Sequence, residues 1–420
     1  MRRYESYKDS GVEWLGDVPA HWEVKKMKFL FTDTSIKNKP NETLLSVTQN
    51  RGVIPRDWLE ERTVMPSGNL ETFKFIEKDD FAISLRSFEG GLEICHHSGI
   101  ISPAYTVLKY NKKLLNNGYY KYLFKCQKFI SEMQTSIVGI REGKNISYEE
   151  LRYSYLPIPQ TIEQQKIAQF LDNKTAKIDQ AVALAEKQIA LLKEHKQILI
   201  QNAVIRGLNP DVPLKDSGVE WIGQVPDHWE VSSLGKMLLP VSEKNKPNLP
   251  LLSITRELGV IERDVEDQES NHNFIPDDLS NYKVLKEGQF GMNKMKAWQG
   301  SYGVSRFTGI VSPAYYIFDF IKSVNPRFFH WAIRSKIYIS FFGSASDGVR
   351  IGQWDLSKSR MKSIPFIIPS YTEQVQIADY LDQQAVKIDQ AIALKTAHIE
   401  KLKEYKSVLI NDVVTGKVRV

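Results

Sequence analysis

Cysteine is nearly absent from the chain, with only Cys95 and Cys126 among 420 residues. Two distant thiols cannot build the framework of a disulfide-stapled domain, and they lack the paired spacing of a structural zinc site. Cys95 precedes His96 and His97, but with no second cluster the run reads as ordinary structure, and no metal site is expected. Long apolar runs are missing too. Nothing approaches the roughly eighteen consecutive apolar residues of a membrane span, and MRRYESYKDS at the start lacks the apolar stretch of a signal peptide. The expectation is a cytoplasmic protein with reduced thiols and no membrane partner. Nor does one sign of charge dominate: 56 Lys and Arg against 50 Asp and Glu leave a net charge of +6. A pI near 8.9 permits nucleic-acid binding without requiring it. With 42% hydrophobic residues, the chain can bury more than one core.

What is present is a duplication. Residues 9 to 24 read DSGVEWLGDVPAHWEV and residues 216 to 231 read DSGVEWIGQVPDHWEV, differing only at Leu15/Ile222, Asp17/Gln224 and Ala20/Asp227. The register continues. NKPNETLLSVTQNRGVIPRD (38 to 57) pairs with NKPNLPLLSITRELGVIERD (245 to 264), and GIISPAY (99 to 105) with GIVSPAY (309 to 315). IEQQKIAQFLDNKTAKIDQAVAL (162 to 184) then pairs with TEQVQIADYLDQQAVKIDQAIAL (372 to 394). Each copy is therefore a whole domain with an attached helix, not a short solenoid repeat.

Catalytic signatures are missing from both copies. The chain has no phosphate loop, no G-x-S-x-G elbow, no H-E-x-x-H, no dinucleotide fingerprint after a strand, and no [DN]-P-P-[YF] run of an amino-methyltransferase. No acidic pair followed by E-x-K offers a nuclease site. A duplicated enzyme should show its machinery twice, so the reading is a binding protein with no catalytic residue and no cofactor.

Residues 25 to 158 and 232 to 368 are dense in short apolar and aromatic runs such as TLLSV, FAISL, PLLSI and AYYIF, broken by Gly, Pro and Asn. Short strands mixed with helices fit that grammar. Proline and glycine then vanish, from about Ile162 to Arg206 and from about Thr372 to Val414. There a row recurs every seven positions, Leu171, Ile178, Ala185, Leu192 and Leu199 in the first stretch and Leu381, Ile388, Lys395, Leu402 and Leu409 in the second, beside companion rows Ala168, Thr175, Val182, Ile189, Lys196, Ala203 and Ala378, Ala385, Ile392, Ile399, Lys406, Val413. Lys196 and Lys406 occupy the same seam position. Thr161 with Gln164, and Ser370 with Glu373, have capping chemistry but stand one residue out of step. Gly207 with Pro210, and Gly416, are the stops. Helices of about 45 residues, roughly 65 Å long, need a partner to bury their seam. Pairing with each other as an antiparallel coiled coil is preferred over pairing with another protein's helix. The fold class is thus α+β: two mixed domains separated by two long antiparallel helices, with a pseudo-two-fold internal repeat and chain ends that meet beside the first domain. Trp14, Trp22, Trp221 and Trp229 read as core or domain-edge residues.

The polar residues that recur are candidates for a binding surface. SLRSFEGG (84 to 91) aligns with KMKAWQGS (294 to 301), setting Arg86 opposite Lys296 and Phe88 opposite Trp298. GIREG (139 to 143) aligns with GVRIG (348 to 352), setting Arg141 opposite Arg350, with Lys144 and Gln353 closing the same loops. A guanidinium on a glycine-flexed loop suits a phosphate or a guanine edge. The competing reading is an ion pair at a loop base. Between the shared blocks the copies diverge, as in 56 to 75 against 263 to 285, as two modules would if each recognised a different thing in the same manner.

Taken in their order, twice over, DSGVEWLGDVPAHWEV, the ISPAY-type block, the G-x-R-x-G loop and PIPQTIEQQKIAQFLDNKTAKIDQ resemble the specificity subunits of type I restriction-modification enzymes along nearly the whole chain. The resemblance implies target recognition domains at 1–158 and 209–368 and conserved spacer helices at 159–208 and 369–420. Each domain would read one half of a bipartite double-stranded DNA target, through candidates Arg86, Arg141, Lys144, Lys296, Trp298, Arg350 and Gln353. It implies no catalysis in this chain, since two methyltransferase (modification) subunits would bring S-adenosylmethionine chemistry and two restriction subunits ATP-driven translocation and cleavage. Glu163, Gln164, Glu373 and Gln374, at the helix starts, would contribute to the methyltransferase docking surface. The alternatives are a coiled-coil scaffold whose globular domains bind protein, and a specificity subunit of a restriction-methylation enzyme outside type I.

Overall fold

A computed structural model describes residues 2–49, 51–59, 69–138, 145–264, 275–348 and 354–420. The chain forms two compact units, one of residues 1–186 with 396–420 and one of residues 187–395. Each unit contains one globular domain and one end of each long helix.

In the first unit a four-stranded antiparallel sheet runs in the order Phe31–Thr34, Thr106–Tyr110, Phe81–Ile83, Glu93–Ile94. In the second the order is Leu238–Val241, Tyr315–Phe320, Phe290–Asn293, Tyr302–Val304. The strands Phe81–Ile83, Phe290–Asn293 and Tyr302–Val304 are buried on both faces and read as apolar or small-residue runs, whereas the edge strands Phe31–Thr34 and Leu238–Val241 bury only their first residue fully. Side chains alternate across a strand, and the period divides them between two cores. Phe81, Ile83 and Leu108 point to a large core with the helices. Ala82 and Val107 point to a smaller one with Leu45, Val53, Ile76, Cys95 and Ile101. In the second unit Phe290, Met292 and Phe318 face the large core, and Ile317 the small one with Leu252, Ile254 and Val260.

The recurring HWEV block runs into a strand that closes its domain. Glu23–Lys26 pairs antiparallel with Tyr155–Ile158, and Glu230–Ser233 with Pro365–Ile368. The latter strand of each pair feeds the long helix, so each domain is tied off at the point where its helix starts.

The long helices span Thr161–Arg206 and Tyr371–Val414. Their seam residues are buried: Leu171, Ile178 and Ala185 on one, Leu381, Ile388 and Leu409 on the other. In the second unit Lys196 Nζ lies 2.7 Å from Asp389, and Lys395 Nζ donates to Gln188 at 2.6 Å, an order that runs opposite ways along the two helices. In the first unit Lys406 Nζ lies 2.6 Å from Asp179. Both seam lysines thus reach across to an aspartate of the other helix. Among the described residues no helix is long and apolar enough to cross a membrane.

Both cysteines are free and buried. Burial pushes the Cys95 thiol up to about 12 and that of Cys126 up to about 11. The Cys95 thiol donates to the carbonyl of His97 at 3.0 Å. No cluster of His, Cys, Asp and Glu among the described residues could hold a metal ion.

Candidate nucleic-acid interface

Arg86 follows the sheet strand Phe81–Ile83 and precedes the one-turn helix Ser87–Gly90, with its side chain exposed. It borders a cavity of about 530 Å³ together with Thr48, Gln49, Arg51, Ser84 and Tyr105. The turn is fixed from within: Ser84 N donates to Ser87 Oγ at 2.8 Å, and Gly91 turns away at φ 81°. A Cβ on Gly91 would come within 2.0 Å of the Phe124 carbonyl oxygen, so the position admits only glycine. The second copy makes the same turn one residue earlier. There the segment Ala297–Gln299 is a 3-10 turn, and Gly300 takes the positive φ at 92°. The shorter turn frees the next position, which explains why Ser301 stands where the first copy has Gly91.

Lys296 is exposed at the head of that turn. Trp298 is half-buried against Trp354, with ring centroids 5.0 Å apart, and its indole N–H has no partner among the described residues. Lys294 reaches Asp355 at 2.7 Å, fixing this turn to the strand Asp355–Leu356. Arg141, Lys144, Arg350 and Gln353 lie outside the described residues. The strands on either side of them are described. Ile137 pairs with Ile146, and Ser346 with Leu356, antiparallel in each case.

The helix starts hold a second duplicated constellation. Glu163 accepts from Tyr4 Oη at 2.7 Å and from Trp22 Nε1 at 3.1 Å, with His21 Nε2 at 2.9 Å. Glu373 accepts from Trp229 Nε1 at 3.1 Å, with His228 Nε2 at 2.9 Å. The His-Trp pair of the repeated block therefore clasps the first-turn glutamate of its own unit's helix, the feature that explains why this block is written twice. Burial would raise the Glu373 carboxyl, but hydrogen bonds from Ser370, His228 and Trp229 outweigh it and bring it to about 2. The same bond to Glu373 raises His228 above the ordinary histidine value.

The capping box expected from Ser370 and Glu373 is formed: Glu373 Oε2 accepts from Ser370 N at 3.2 Å and from Ser370 Oγ at 2.6 Å. The box expected from Thr161 and Gln164 is not. Gln164 turns inward, donates to the carbonyls of Leu114 and Pro159, and accepts from Asn116 N at 2.7 Å. Gln374 does the same with Pro369 and Asn325. Both glutamines are buried and internally bonded, whereas the Glu163 and Glu373 side chains keep 21% and 29% exposure. Tyr4, His21, Trp22, His228 and Trp229 were not singled out as site residues from sequence, although the repeated HW dipeptide was the signal for four of them.

No family model matches the chain. It is 24% identical over 344 residues to the type I restriction enzyme MjaVIII specificity subunit of Methanocaldococcus jannaschii, covering 77% of this chain and 75% of that protein. A protein of the same organism, provisionally named the type I restriction enzyme MjaX specificity subunit, is 23% identical over 442 residues, covering 97% and 96%. The chain is thus similar, over most or nearly all of its length, to specificity subunits of type I restriction enzymes. The fold of this chain is similar to that of the HsdS subunit from Thermoanaerobacter tengcongensis, with a TM-score of 0.54 at 12% identity over 96% of this chain and 98% of that one. A chain from work on complex assembly and conformational transition of the type I R-M system gives a TM-score of 0.65, also at 12% identity, over 96% and 99%.

Proposed function

We propose that this non-catalytic specificity subunit, which works with other subunits of a restriction-modification system, reads a bipartite double-stranded DNA target. The domains at 1–158 and 209–368 each take one half-site, and the helices at 159–208 and 369–420 set the gap. The observation that carries this reading is a common frame with divergent edges: the two sheets share one strand order, while the residues between the shared blocks differ. Arg86 in one domain and Lys296 with Trp298 in the other stand on equivalent turns, where cation and aromatic can meet phosphate and base. Arg141, Lys144, Arg350 and Gln353 are assigned to the same surface by sequence. Two modification subunits and two restriction subunits complete the assembly, and the exposed edges of the Glu163 and Glu373 clasps belong to the modification-subunit docking surface.

Co-expression with candidate methyltransferase subunits, followed by mapping of methylated adenines, tests the reading. A recurrent two-part sequence is expected, and random or absent methylation would refute it. Replacing Arg141 or Arg350 by alanine should weaken specific binding by about 1–3 kcal/mol with the melting temperature unchanged. Salt separates this reading from a protein-binding scaffold, because phosphate contacts weaken steeply with ionic strength and an apolar interface does not.

A further inference from the structure

The second unit carries a cavity of about 190 Å³ lined by Pro240, Val241, Ser242, Lys283, Tyr316 and Lys358. Lys283 is half-buried, and its ammonium donates to the Tyr315 carbonyl at 2.7 Å. Lys358 Nζ stands 4.6 Å from the centroid of the Tyr316 ring. Neither lysine has an ion pair among the described residues, because the carboxylates nearby are turned elsewhere: Glu243 to Lys286 at 2.8 Å and Asp355 to Lys294 at 2.7 Å. Burial lowers Lys283 below the ordinary lysine value, and the charges of Lys244, Lys358 and Lys294 lower it further. A desolvated ammonium among like charges is a costly arrangement unless an anion completes it.

The first unit shows the same frame differently filled. Lys74, half-buried, donates to the carbonyl of Tyr105 at 2.6 Å, the matching residue of the ISPAY block. Here burial and Lys37 lower the lysine, but the Asp33 carboxylate raises it. Asp33 pairs with Leu108 in the strand register, and its counterpart Pro240 pairs with Phe318. Lys358, just after the helix cap Ser357, is matched by Tyr148 after Ser147, and Tyr148 donates to the Phe31 carbonyl at 2.8 Å. So the first repeat sets one carboxylate against Lys74 and Lys37, whereas the second gathers four lysines, Lys283, Lys244, Lys358 and Lys294, of which, among the described residues, Lys294 alone has an acid, Asp355.

We propose that the cavity around Lys283 and Lys358 is a phosphate-binding site for the backbone of the target duplex, present in the second recognition domain and replaced in the first by the internal carboxylate of Asp33. This rests on the DNA-binding reading above and adds an asymmetry to it. One half-site is held mainly by its base-reading surface, the other by an additional backbone grip. Phosphate contacts are blind to sequence, so the site can be tested before the target is known.

The test is binding of the full chain to a random-sequence duplex of about 40 base pairs, followed by fluorescence anisotropy from about 50 to 200 mM salt. Lys283→Met and Lys358→Met should each lower the slope of log affinity against log salt by about 1. Lys322→Met, which removes a lysine paired with Glu230 outside the cavity, should leave it unchanged. Asp33→Asn should steepen the slope. Lys358 is exposed, so its variant decides the matter if Lys283→Met melts early. A steep wild-type slope that neither cavity variant moves, or that Lys322→Met lowers equally, overturns the phosphate site and leaves the DNA reading intact. A flat wild-type slope overturns both.

Discussion

Trp22 and Trp229 are the largest fully buried side chains of their units, and each donates its indole N–H to the glutamate that opens a long helix. Phenylalanine keeps most of the apolar volume but removes the donor, leaving a partly buried carboxylate short of one bond. Trp22→Phe and Trp229→Phe should each cost about 1–3 kcal/mol of stability, read by denaturant unfolding. The Glu373 clasp also carries a pH signature. Its carboxyl sits at about 2 when folded against an ordinary 4.5, so its contribution is complete above 4.5 and fades as pH falls toward 2. His228 is raised when folded, so its contribution is complete below 6.5 and fades as pH climbs through the folded value. The two overlap between about pH 4.5 and 6.5, and the gap in melting temperature between wild type and Glu373→Gln should be widest there. The glycines that end the helices differ in what surrounds them. Gly416 and Gly207 both hold a positive φ, but a Cβ on Gly416 meets Pro19 at 2.3 Å while one on Gly207 meets Trp229 at 3.1 Å. Alanine at either pays the left-handed cost of about 1–2 kcal/mol. Gly416→Ala should cost distinctly more in the same unfolding measurement.

The long helices were the most legible elements, because a seven-residue apolar beat without proline or glycine has few other solutions. The lysines inside that beat, Lys406 and Lys196, are cross-helix partners of Asp179 and Asp389. Both aspartates are well exposed, so these pairs contribute little net stability. Lys196→Leu should leave the melting point equal or raised, by no more than about 1 kcal/mol equivalent. The first helix's cap was not legible. Gln164 carries the right atoms for a capping box at the right distance in sequence, but a buried loop carbonyl competes for them, and only the packed fold decides that contest. The sheets were legible as a class and not in order. Their inner strands, such as Phe81–Ile83 and Phe290–Asn293, are buried on both faces, which erases the alternation that would have told one face from the other.

At the scale of the chain, the duplication read from sixteen residues anticipated two domains of one architecture, and the described folds bear the same strand order twice. The candidate surface was less legible: Arg86 and Lys296 fell on matching turns, but the cavity lysines Lys283 and Lys358 sit in stretches where the copies diverge, and of the two only Lys283 has a lysine, Lys74, at the matching place. Inserting one heptad into each long helix at matched seam positions adds about 10 Å, close to three base pairs of duplex. Under the proposed function, methylation mapping should then return the same two half-sequences with a gap longer by about three base pairs.

The first unit is finished by the last part of the chain. Leu409, Val413 and Val414 lie in its large core, Tyr119 donates to the Val414 carbonyl at 2.7 Å, and Arg2 bridges to Arg419. On the ribosome, the domain made first is therefore the one that waits longest. Its amino-terminal strands emerge early but cannot close their core until residues beyond 396 have been translated. A premature stop shortly after Lys395 would spare every residue of the unit nearest the break and cripple the one whose domain was synthesised first.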